Sequence, residues 1–124
     1  MVEIGVIAAG GALGAVMRFW VSSAVYAWLG RGFPWGTLSV NLLGSFIIGL
    51  AFVMLTERLT VGSEIRAFIM IGFLGAFTTF STFSLETLAL MQEGLLLKAA
   101  MNILVSVVLC IIATWSGMLL ARSL

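Results

Sequence analysis

With 124 residues, 62% of them hydrophobic and only 9% charged, the chain has too few polar side chains to cover a soluble fold of its size. Soluble domains carry about 25% charged residues, so lipid must be the solvent for most of this exterior. A net charge of +1 offers no basic surface for nucleic acid, and the absence of histidine removes the usual proton shuttle and the commonest metal ligand. Without histidine no nucleophile–base pair is in view, so an enzyme is not expected.

A spanning helix needs roughly 20 apolar residues. The first such stretch, about residues 4–29, contains one charge, Arg18. It follows Glu3 rather than a basic region, and its apolar run is too long for a cleaved signal peptide. Gly10 and Gly14 stand in a GxxxG pair, which lets helix backbones approach closely in lipid. Arg31-Gly32-Phe33-Pro34-Trp35-Gly36 reads as a tight connection flanked by Tyr26, Trp28 and Trp35, as in an interfacial aromatic belt.

The second span, about residues 37–56, lies within the 25 uncharged residues between Arg31 and Glu57. The third, about 65–92, contains 19 uncharged residues between Arg66 and Glu86, and the fourth, about 95–122, contains 23 between Lys98 and Arg122. No connection is long enough for another domain. The expected fold is therefore all-α: an integral membrane protein of four transmembrane helices forming a single domain over residues 1–124, tightly packed through its 14 glycines.

The third span is unusual in its middle. From Gly75 to Ser84 it holds five hydroxyl residues, Thr78, Thr79, Ser81, Thr82 and Ser84. Glycine together with β-branched and hydroxyl residues weakens a helix. Irregular backbone at membrane depth survives only where it is buried in protein or lines a cavity. A break here would free carbonyl oxygens able to coordinate a cation. The plain reading of any one hydroxyl is a bond back to its own helix; the clustering is what favours function.

Phe80 and Phe83 are three apart and share a helix face. They read either as lipid or core packing, or as ring edges of positive potential turned toward a small anion. Asn41 is an amide inside the second span, serving either as helix–helix glue or as a neutral donor lining a pore. In the fourth span Asn102, Ser106, Cys110 and Thr114 recur every four residues as a slowly drifting polar stripe. Arg18 either snorkels or pairs with Glu86, or it faces a water-filled vestibule and concentrates anions. Glu86 near an anion path would repel unless paired or protonated.

Loop charge assigns three Arg/Lys residues (Arg58, Arg66, Arg122) to one side and two (Arg31, Lys98) to the other. The positive-inside rule acts through such a bias, and here it is nearly absent. Either the first helix fixes one orientation, or the chain inserts both ways and pairs with an inverted copy of itself.

Three stretches together resemble the Fluc (CrcB) family of fluoride channels: Gly10 through Phe19, Gly36 through Ser45, and Gly72 through Glu86. The Gly-Ala-Phe-Thr-Thr-Phe-Ser-Thr-Phe-Ser run is the most specific of the three. The resemblance implies an antiparallel, dual-topology homodimer with two pores and a third helix broken near its middle. It also implies a structural sodium ion at the dimer centre, held by the backbone carbonyls of Gly75 and Thr78. It maps the fluoride path onto Asn41, Phe80, Phe83, Ser81, Thr82, Ser106 and Thr114, with Arg18 and Glu86 at the vestibule. Cys110 departs from the family, where a hydroxyl residue is frequent, and Asn102 is left without a role.

The function so implied is passive export of cytoplasmic fluoride, protecting a prokaryotic cell from fluoride toxicity across its plasma (inner) membrane. Fluoride is the smallest and most strongly hydrated halide, so a pore must replace its water with donors while not retaining it. The rival is a small multidrug-type proton-coupled transporter. That would need an acidic residue in mid-span of the first helix, where this chain has Arg18. A non-transporting assembly protein would account for the glycines but not for the hydroxyl cluster beside Phe80 and Phe83.

Overall fold

The computed structural model describes all 124 residues. Helix α1 runs Val2–Leu29 and stops at Gly30, whose φ of 82° lies in the left-handed region that favours glycine. Helix α2, Trp35–Val53, starts just after Pro34, where a missing N–H costs nothing, and widens into a π-helical end, Met54–Arg58. The third rod is assembled from pieces: α3 (Ser63–Arg66), a π-helical stretch Ala67–Phe73, α4 (Leu74–Phe77) and α5 (Phe80–Gln92). Gly94, with φ 78°, turns the chain into α6, Leu96–Ser123.

Four rods are thus long and apolar enough to cross a membrane: Val2–Leu29, Trp35–Arg58, Ser63–Gln92 and Leu96–Ser123. Only 23 of 124 residues are buried in the single chain, so the apolar exterior must face lipid or another protein. The π-helical turns have no counterpart in the sequence reading, because no residue type marks them.

Glycine decides how the rods meet. A methyl group on Gly10 would run into the Phe68 carbonyl, and one on Gly72 would lie 2.7 Å from the Ile7 carbonyl oxygen. Here α1 therefore crosses the π-helical stretch backbone to backbone. A second seam joins α2 to α6, where Gly49 faces the Thr114 backbone and Gly117 faces the Phe46 carbonyl. At one end of the bundle Arg122 pairs with Glu57 (3.0 Å), and Arg58 donates to the Ala121 carbonyl (3.2 Å). At the other, Lys98 donates to the Gly32 carbonyl (3.0 Å), joining the two connections.

Candidate functional site: a groove beside an extended dipeptide

Helical conformation stops at Phe77 and resumes at Phe80. Thr78 (φ −90°, ψ 158°) and Thr79 (φ −150°, ψ 118°) are extended. Two extended residues at membrane depth leave backbone groups without helical partners, and in lipid these must be satisfied. Asn41 of α2 supplies the partner. Its Nδ2 donates to the Thr79 carbonyl (3.0 Å), and its Oδ1 accepts from the Thr79 N–H (2.7 Å). An amide is the one neutral side chain that can match a peptide group at both ends. Because the Thr79 N–H is taken by Asn41, the Gly75 carbonyl loses its helical donor. The Thr79 hydroxyl accepts from the Thr82 N–H (3.1 Å) and so caps α5. The Thr78 hydroxyl donates to the Leu74 carbonyl (3.0 Å).

Beside this dipeptide lies a groove of about 410 Å³ between α2, α5 and α6. That volume holds several water molecules at about 30 Å³ each. Its walls are largely apolar, with polar points at Asn41, Ser45, Thr78, Thr79, Ser106 and Cys110. Phe80 and Phe83 also line it, ring centroids 5.4 Å apart and planes tilted by 41°. Phe83 is buried, whereas Phe80 is 77% exposed in the single chain.

A smaller cavity of about 260 Å³ lies on the other side of Thr79 and is lined by Arg18, Ser22, Thr37 and Thr82. Thr79 borders both spaces, so the Asn41–Thr79 clamp stands at their junction. Arg18 forms no ion pair; the chain's single pair is Arg122–Glu57. Of the three readings of Arg18, pairing with Glu86 is absent from this structure. Glu86 instead accepts from the Tyr26 hydroxyl at Oε2 (2.8 Å), and its Oε1 is buried without a partner. The Tyr26 ring in turn carries the Arg31 guanidinium 4.4 Å above its centroid.

The expected path residues thus divide. Asn41, Phe80, Phe83 and Ser106 share the groove with Gly75 and Thr78. Thr82 lines the Arg18 cavity. Ser81 is exposed at the start of α5, its Oγ 3.4 Å from that of Thr79. Thr114 lies outside both spaces, its hydroxyl donated to the Cys110 carbonyl (3.0 Å). Thr79 was missed by the sequence reading as an individual residue. A Thr just before a resumed helix is an N-cap signal that marks it. Tyr26 was read only as belt; no local signal connects it to a carboxylate 60 residues away.

Four apolar rods with a mostly apolar exterior and a largely apolar groove carrying a few polar groups define a small multi-pass helical membrane protein. The chain belongs to the CrcB family: the family model described as "CrcB-like protein, Camphor Resistance (CrcB)" matches residues 5–118. It is 61% identical over 118 residues to the "Fluoride-specific ion channel FluC" of Methylococcus capsulatus, covering 95% of this chain. The chain spans about half (52%) of the length of that relative. It is 58% identical to the protein of the same name from Magnetococcus marinus, covering 97% of this chain and 98% of that relative. With the one from Geobacter sulfurreducens it shares 48% identity over the full length of both.

Proposed function

We propose that this chain is a passive, fluoride-selective channel that exports cytoplasmic fluoride down its electrochemical gradient. The observation that carries the reading is the groove itself. Amide, hydroxyl and aromatic side chains border a groove whose lining contains no charged side chain. Dehydrated fluoride needs donors to replace its water, yet full charges would hold it too tightly to let it pass. The names of the relatives point the same way. In the membrane of a prokaryotic cell, a negative-inside voltage drives the anion outward with about 2.3 kcal/mol per charge per 100 mV. The proton-coupled multidrug reading is disfavoured, because α1 contributes to its cavity an arginine and no carboxylate.

The working unit in this proposal is an antiparallel homodimer with two pores. Exposed Phe80 and Gly75 leave one wall of the groove for an inverted second copy to complete. The near balance of loop arginines and lysines suits insertion in both orientations. We read the extended Thr78–Thr79 pair as the family's helix break and the Gly75 and Thr78 carbonyls as ligands of a structural sodium ion. The fit is chemical: a hard cation prefers oxygen donors, the Gly75 carbonyl has lost its helical partner to Asn41, and the Thr78 hydroxyl is already engaged. Each copy would supply half of the oxygen set, and the ion's charge would tie the two breaks together. The chain's own part is the Asn41 clamp, which keeps the carbonyl free.

The test is efflux from proteoliposomes read by fluoride and chloride electrodes side by side. Fast fluoride release without chloride release is expected, with loss in Phe80→Ile and Asn41→Asp. Absence of fluoride release from well-folded dimer would sink the proposal.

A further inference from the structure

Behind the groove α5 and α6 bury a hydrogen-bonded chain whose direction is dictated from one end. The Thr87 hydroxyl donates its only proton to the Phe83 carbonyl (2.7 Å). Thr87 Oγ1 can then only accept from its other neighbour, so Asn102 must face it with Nδ2 (2.8 Å). That turns Asn102 Oδ1 toward Ser106, whose hydroxyl donates to it at 3.3 Å. Thr87, Asn102 and Ser106 are all buried, and Asn102 is 1% exposed. The chain begins at the carbonyl of one groove-lining residue, Phe83, and ends at the hydroxyl of another, Ser106.

The consequence is chemical. With its proton committed to Asn102, Ser106 turns only oxygen lone pairs toward the groove. An anion there cannot be held by this hydroxyl unless the proton leaves Asn102. The bond being left is long, since O–H···O bonds cluster near about 2.7–2.8 Å, so release is easy. Leaving Oδ1 unpaired in a buried setting favours return.

We propose that Asn102 is a positioning residue for anion passage: it parks the Ser106 hydroxyl away from the groove, so that the donor is lent to a passing anion rather than fixed on it. The polarity is set remotely by Thr87. This rests on the channel reading above and gives a role to a residue that composition and resemblance left open. The requirement it meets is the general one for conduction, binding strong enough to enter and weak enough to leave.

The experiment is a double-mutant cycle on fluoride efflux from proteoliposomes, reading the maximal rate and the half-saturating fluoride concentration separately. Thr87→Val keeps the shape, lies outside the groove and removes the acceptor that orients Asn102. Asn102→Leu removes the parking site outright. Both are expected to lower the half-saturating concentration, by about fivefold for one net hydrogen bond gained by the anion, and to slow the maximal rate. Both effects are expected to vanish in a Ser106→Ala background. Additive effects, or a change in maximal rate alone, would overturn the proposal, since a merely structural role predicts them. If Asn102→Leu fails to fold, Thr87→Val still decides. Wild-type protein without fluoride efflux would overturn the channel reading, and this proposal with it; normal wild-type efflux with an uncoupled cycle overturns this proposal alone.

Discussion

Helices α2 and α6 take part both in a glycine seam and in the groove. Toward Gly49 and Gly117 these two helices touch backbone to backbone, leaving no room for a methyl group. Toward Ser45, Ser106 and Cys110 they part and leave about 410 Å³. In lipid the hydrophobic effect does not press helices together, so close van der Waals contact must do it, and glycine makes that contact possible. The spacing of small and larger residues along one helix therefore sets where the bundle is sealed and where it is open.

The seams are the easiest part to break. Gly72→Val pushes a branched side chain into the α1 backbone at Ile7 and Gly10. A cost of about 3 kcal/mol is expected, as for severe overpacking, seen as loss of monodisperse protein in detergent; unchanged thermal unfolding would refute the tight seam. At the junction of the two cavities, Asn41→Leu removes both partners of the Thr79 peptide group. A loss of about 2–4 kcal/mol is expected from two backbone groups left unpaired in an apolar setting. Fluoride efflux should fall with it; an unaltered melting temperature would show that Asn41 is not a clamp.

Thr79→Val sharpens the comparison by removing the hydroxyl that caps α5 while leaving the Asn41–Thr79 peptide contact in place. About 1 kcal/mol is expected, measurable as a small shift in thermal unfolding, together with faster amide exchange over the first turn of α5. The smallest effect belongs to Glu57→Gln. Its partner Arg122 is solvent-exposed at the bundle end, and such pairs contribute little. Thermal unfolding and efflux should both match wild type, and a marked loss in either would mean that the end clip matters more than exposed pairs usually do.

Much of the site was legible in the residues. The run from Gly75 to Ser84 announced irregular backbone by its glycine and hydroxyl content. Two extended residues lie there, at Thr78 and Thr79. Asn41 was singled out as an amide needing partners, and it finds them across the helix contact: it clamps the Thr79 peptide and also borders the groove. The stripe Asn102, Ser106, Cys110, Thr114 behaved unevenly. Ser106 and Cys110 reach the groove, Asn102 is buried behind it and Thr114 bonds back to its own helix. A period of four drifts around a 3.6-residue helix, so a stripe that begins behind the groove crosses it and leaves it.

Hydropathy and charge spacing by themselves determined the four membrane-crossing rods, because the length of an apolar stretch must match the bilayer and any charge within it is costly. The glycine content determined that they would pack closely. Only the tertiary structure decided the rest: that Glu86 meets Tyr26 and not Arg18, that Asn41 grips the backbone of a residue 38 positions away, and that Thr87 sets the direction of the Ser106 hydroxyl. Those facts depend on which faces of separate helices meet. Helix packing sets that through contacts distant in sequence, and no local pattern records them.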